Sequence, residues 1–285
     1  MEDLVMEPFP RSGSTPARPL PPFADVGLQA RRVAPGAIGR WLMLAVADLR
    51  AMPVLGLTYG LFFTLVGAGL FQGLQAIERP YLILPFTFGF FLVGPALACG
   101  LYEASRQRAA GERPTLRGTL FAFRPNAGQV FMGGGLLMVS LMGWVRLSLL
   151  IFMLFFAFQV PTLDQVVARI LGTSTGWAFL ATFLAVGAVF AGSIYVSASL
   201  AFPLMLDRPT ANVMDGIITS WRAMRVNPGA MAAWAAVITI LTFLGMASFY
   251  LGLIIVMPLL AHGSWHAYRD LVERPAGVDR DQPSP

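Results

Sequence analysis

Apolar residues in this chain come in long runs with few charges between them. The runs cover residues 54–77, 82–102, 128–158, 177–206 and 231–268. About 20 apolar residues in a helix cross a hydrocarbon core ~30 Å thick. The last run is too long for one crossing at ~1.5 Å per residue, so it is expected to fold as a tight hairpin turning near "MASFYLG". The pattern lacks the short alternating segments of a β-barrel. It predicts an all-α polytopic transmembrane helical bundle with six spans, residues 36–272 forming the membrane domain. The course of residues 147–176 is left open between a surface segment, a re-entrant segment and one long tilted helix.

Amphipathic stretches separate the runs. "AIGRWLMLAVADLR" puts Ile38, Trp41, Leu42, Ala45 and Leu49 on one helical face. "VMDGIITSWRAMR" does the same with Val213, Ile217, Trp221 and Met224, leaving Asp215 and Arg222 opposite. "TLRGTLFAFR" groups Leu116, Leu120 and Phe123, with Thr115 as the expected N-cap. Such stripes read as interfacial helices, lying flat on the membrane or packing on the bundle ends. Each ends in an arginine, then a proline, then an apolar run: Arg50 and Pro53, Arg124 and Pro125, Arg225 and Pro228. Proline suits the first turn of a helix and forces the residue before it out of helical geometry. The reading is three hairpin units, each entered by an interfacial helix at a sharp corner.

Charge adds orientation. There are 20 basic residues, all arginine, against 15 acidic ones. Arginines crowd the N-terminal region, the segment after the second run, the segment after the fourth and the C-terminal end, whereas the alternate connections carry Arg79 and Arg169. This positive-inside bias puts both termini in the cytoplasm. It also points to anionic lipid headgroups as partners at that face, with no signature for nucleic acid. Homo-oligomerisation stays open. Residues 1–35 begin acidic and turn proline-rich, unlike a secretory signal, and read with 273–285 as disordered cytoplasmic tails. A single cysteine, Cys99, excludes an intrachain disulfide.

Two exits from the apolar runs resemble each other. "GFFLVGPALACGLYEASR" (89–106) and "GLIIVMPLLAHGSWHAYR" (252–269) share eight columns without a gap. The match points to an internal repeat. Pro95 and Pro258 then kink their spans at one depth. Glu103 and His266 share a column, so the two side chains are expected at one level and able to meet.

Candidate chemistry is sparse. His262 and His266 lie four apart on one helical face, but "HGSWH" lacks the glutamate that a zinc protease motif carries after its first histidine. They are weak metal candidates, better read as structural or interfacial. Arg146 interrupts the third run and is expected either to snorkel to the outer boundary or to bind an anion in a cavity, with Asp164 or Glu78 as partners. Ser193 and Ser197 share a face of the fourth run and read as helix glue or as a polar cavity lining. Gly56 and Gly60, like Gly69 and Gly73, read as close-packing surfaces. Asp48, Glu103, Asp207, Asp215 and Asp270 are expected near the inner interface beside arginines, leaving no charge buried in the bundle. No cofactor motif and no catalytic constellation is visible, so an enzyme is disfavoured.

The stretches "DLRAMP", "GPALACGLYE" and "GSWHAYRDLV" resemble the bacterial integral membrane proteins catalogued as domain of unknown function 2189, over roughly residues 38–272. That resemblance implies a multi-pass bacterial inner-membrane protein and supports six spans. It carries no activity, cofactor or catalytic residue to this chain. Two functions follow from the pattern: a non-enzymatic scaffold or lipid-interacting component, or a small-solute or ion transporter with a cavity between the repeats, lined by Arg146 and the serines.

Overall fold

In the computed structural model, residues 29–156 and 163–272 are described, apart from the side chains of 163–166. The expected tails therefore fall mostly outside the described residues. The last part of the first one is tied down: the Arg31 amide donates to the Leu271 carbonyl, and Ala30 bridges Val272. Its apolar residues Ala30 and Val33 pack against the core, which explains why this stretch does not trail away.

The regular elements among the described residues are helices. They are α1 (Ala37–Ala51), α2 (Pro53–Ala76), α3 (Ile83–Leu92), α4 (Gly94–Leu97), α5 (Cys99–Ala109), α6 (Leu116–Leu120), α7 (Ala127–Phe156) and α8 (Leu163–Gly172). Then come α9 (Ser174–Ala198), α10 (Ala201–Asp207), α11 (Val213–Val226), α12 (Pro228–Ala247) and α13 (Leu253–Leu271). The corners follow from proline. Pro53 and Pro228 occupy the first turns of α2 and α12. The residues before them, Met52 (φ −132°, ψ 53°) and Asn227 (φ −131°, ψ 54°), take nearly the same non-helical conformation. Pro125 sits in a 3-10 turn, Arg124–Asn126, just ahead of α7.

Four helical stretches are long and apolar enough to cross a membrane: Pro53–Ala76, Leu116–Phe156, Ser174–Asp207 and Pro228–Ala247. Two of the expected crossings look different. The second is split, because the helix breaks at Val93 after ten residues of α3 and restarts twice, as α4 and α5. The sixth, α13, has 19 residues, but its second half carries His262, Ser264, His266, Arg269 and Asp270. The last long run does fold back, at Ser248–Gly252 between α12 and α13. Residues 147–156 continue α7 as one helix. The two exits also differ in backbone: Pro95 starts the short α4, whereas Pro258 lies inside continuous α13.

Helix α13 is the hub, packing on α1, α2, α5 and α12. Glycine permits the closest of these approaches. A Cβ on Gly60 would stand 1.9 Å from the Ile254 carbonyl oxygen of α13, so any side chain there forces α2 and α13 apart. Gly69 and Gly73 have open space beside them instead, contrary to the expectation for that pair. A second, smaller cluster joins α7, α8 and α9 through Trp144, Ile151, Ile170, Phe179 and Phe183.

The amphipathic segments pack on one end of this bundle. On α1, Trp41, Ala45 and Asp48 are buried, and Trp41 meets Trp234 of α12 edge-to-face at 5.6 Å. On α11 the buried face is the small one: Gly216, Thr219, Ser220 and Ala223. Gly216 lies against Ala201, and the Ser220 hydroxyl accepts from the Leu200 amide. Met214, Ile218 and Trp221 form an exposed row on another side. Of the expected stripe, Val213, Ile217 and Met224 pack on the core and Trp221 is left outward, while small residues allow the close helix contact.

Candidate functional site

The densest polar cluster forms where α1, α5 and α13 converge. The last turn of α1 supplies Asp48, α5 supplies Ser105 and Arg108, and successive turns of α13 supply His262 and His266. Four-residue spacing puts both histidines on one face, as the sequence indicates. The expectation of an interior without buried charge fails here, because Asp48 is 1 % exposed and His262 is 0 % exposed.

A buried carboxylate is tolerable when it is paired and hydrogen-bonded. Asp48 meets that condition. Its Oδ2 accepts from the Ser105 hydroxyl at 2.5 Å and from His266 Nε2 at 2.9 Å. Its Oδ1 pairs with the Arg108 guanidinium. Burial pushes the Asp48 carboxyl up, but the hydrogen bonds from His266 and Ser105, with the positive charge that the histidines carry when protonated, pull it below its ordinary value.

The network also fixes a tautomer. Ser105 Oγ lies 2.7 Å from His262 Nδ1. The serine has one proton, and it goes to Asp48, so His262 Nδ1–H must donate to Ser105. His262 Nε2 is then a bare, buried acceptor with no partner among the described residues. This order is the reverse of a nucleophilic serine, whose proton passes to the histidine. Ser105 is also 1 % exposed, so no substrate reaches it. Chemically the cluster is a clamp: three helices are held by one carboxylate. Among the described residues, no group of three or more His, Cys, Asp or Glu side chains converges for a metal ion.

Other polar ties lie at the same end. Asp270 accepts from Arg40 at 2.5 Å and from Trp41 Nε1 at 2.6 Å. The Tyr268 hydroxyl donates to Asp207 at 2.8 Å. Asp215 completes a capping box with Asn212 at the start of α11. The asparagines beside the corner prolines, Asn126 and Asn227, are structural. Asn126 donates to the carbonyls of Met205 and Ala211, and Asn227 bonds Val33 N and the Arg31 carbonyl.

The residues singled out from sequence are scattered. Glu103 is bound by Arg106 and Gln107 of its own helix and does not meet His266. Two residues along a helix turn ~200°, so it is Ser105, not Glu103, that faces α13. Arg146 is exposed on α7, Glu78 lies in the turn after α2, and the side chain of Asp164 is outside the described residues. Ser193 is exposed and donates to the Phe190 carbonyl. Ser197 donates to the Ser193 carbonyl and accepts from Trp221 Nε1 at 3.3 Å.

A groove of about 520 Å³ runs between α9 and α12, floored by α5 and α13. Its walls include Phe91, Pro95, Gly187, Ala191, Trp234 and Ile238. Arg146, Glu103, Ser193 and Ser197 are not among its lining residues. The groove thus lacks Arg146, Ser193 and Ser197, the side chains expected to line a cavity between the repeats.

A family model described as "Predicted integral membrane protein (DUF2189)" matches residues 83–207, from α3 to the end of α10. The match takes in "GPALACGLYE" and leaves "DLRAMP" and "GSWHAYRDLV" outside, a narrower span than residues 38–272. No curated protein and no solved structure matches the chain. Over residues 83–207, this chain is similar to a family of integral membrane proteins.

Proposed function

We propose that this chain is a non-enzymatic, lipid-interacting component of a bacterial inner membrane. It crosses six times in three hairpin units, with its arginine-rich end and both termini in the cytoplasm. The observation that carries this reading is the exposed row on α11. Met214, Ile218 and Trp221 follow one another at helical spacing, and Arg225 continues the row. Leu116, Leu120 and Phe121 make a similar exposed group at α6. Apolar side chains beside arginine suit the boundary between acyl chains and anionic headgroups.

The alternative, a solute transporter, loses support because Arg146, Ser193 and Ser197 lie outside the groove. The closed clamp at Asp48 supports a structural role for the polar residues. The test is binding to nanodiscs of phosphatidylglycerol against phosphatidylcholine. The wild-type protein is expected to enrich the anionic lipid around itself. Arg225→Gln is expected to cut that preference about fivefold, near the ~1 kcal/mol that one surface arginine contributes. Equal affinity for both lipids in the wild type contradicts the reading.

A further inference from the structure

We infer that the groove between α9 and α12 holds one acyl chain of a membrane phospholipid. The inference rests on the lipid-interacting reading above and names the part of the lipid that the bundle takes in. Helices α9 and α12 barely touch, although both belong to the apolar body of the protein. On α12 the groove face is a complete stripe from Met231 through Trp234, Ile238 and Thr242 to Met246. That stripe spans 15 helical steps, or ~22 Å at the helical rise, against ~30 Å for the hydrocarbon core. The groove therefore runs along the membrane depth for more than the length of one leaflet.

Its section chooses the occupant. Spreading 520 Å³ over that length leaves about 24 Å² for the centres of water-sized groups, or roughly 55 Å² once their ~1.4 Å radius is added. A helix ~10 Å across needs roughly 80 Å², so a helix from a second copy does not fit. A single extended hydrocarbon chain does. The rim opens sideways, toward lipid, between Leu184 and Ala188 on α9 and Thr239 and Phe243 on α12, all exposed.

The lining also has a direction. Tyr102, Tyr195 and Ser264 bring hydroxyl groups to the Met231 end, and Thr239 and Thr242 follow farther along α12. Tyr195 donates to the Met231 carbonyl. The opposite end is walled by Phe88, Phe183, Leu184 and Phe243. A molecule polar at one end and apolar along its length matches this lining. The ester end of the chain belongs beside Tyr195 and Ser264, at the arginine-rich end of the bundle.

The test uses the full chain in nanodiscs of phosphatidylglycerol and phosphatidylcholine. They are doped with a phosphatidylcholine carrying a diazirine on its acyl chain. After illumination, cross-links are mapped by mass spectrometry. They are expected to concentrate on groove residues such as Ile238 and Thr242 over Val189, which is exposed on the outer side of α9. Ala191→Phe, and independently Ala235→Phe from the opposite wall, should lower the groove yield about fourfold or more, as displacing even one buried methylene would. Val189→Phe should leave it unchanged.

A groove yield no higher than at Val189 overturns the inference, as does a yield unmoved in both filling variants that elute as folded protein. The two failures are separable. A wild-type preference for anionic lipid with no groove labelling removes the acyl-chain site alone. Groove labelling without that preference removes the headgroup reading alone.

Discussion

Two faces of α13 differ in what surrounds them. On the face of His262 and His266, three helices are tied by Asp48. On the face of Met257, Leu260, Ser264 and Ala267, the same helix floors an apolar groove whose two walls are held apart. A charge buried on the first face fixes geometry, because each partner lost leaves an uncompensated group. Nothing of that kind pulls α9 and α12 together, and small residues such as Gly187 and Ala191 line the α9 wall.

The comparison breaks most readily at Asp48. Asp48→Ala removes the acceptor for Ser105, His266 and Arg108 at once and is expected to cost about 3 kcal/mol. Thermal unfolding in detergent reads this, and a variant as stable as the wild type contradicts the clamp. Asn227→Ala leaves the Val33 amide and the Arg31 carbonyl without their bonds, and is expected to cost about 2 kcal/mol. Hydrogen exchange at residues 30–33 should rise in that variant. By contrast, Ala191→Phe on the groove wall is expected to leave thermal stability within about 0.5 kcal/mol, since the space it fills is open.

Acidity gives a further contrast. The Asp48 carboxyl is held below its ordinary value, so its ionised form favours the folded state. That stability is fully present above the unfolded value of about 3.9, and is lost as pH falls through the lower folded value. Unfolding scans across this acid range should show a pH dependence that Asp48→Asn abolishes. Among the contacts whose loss destabilises the fold, the smallest expected effect is at α6. The Thr115 hydroxyl accepts from the Gly118 amide at 3.1 Å, and Thr115→Ala should cost about 1 kcal/mol.

What could be read from the sequence was local. Thr115 caps α6 as its position indicates, Pro53 and Pro228 open their helices, and the last run turns at Ser248–Gly252. The histidine pair was visible as one face. Its partner was not, because Asp48 lies 218 residues from His266 and no periodicity links them. On α11 the stripe rightly took in Val213, Ile217 and Met224 but also Trp221, which is exposed, because apolar spacing marks the inner face in water. Beside lipid, small residues such as Gly216 and Ser220 do so. The groove was also out of reach, since it depends on two helices failing to meet.

Trp221 gives the most direct measurement of where the arginine-rich end sits. It is 48 % exposed on α11, whereas Trp265 on α13 is 0 % exposed. Single-tryptophan proteins are placed in bilayers containing a phospholipid brominated near the headgroup. The account predicts strong quenching of Trp221 by the brominated lipid, weak quenching by aqueous acrylamide, and little of either for Trp265. Trp221 quenched by acrylamide and untouched by brominated lipid would put α11 in water, and would contradict the proposed lipid-interacting surface.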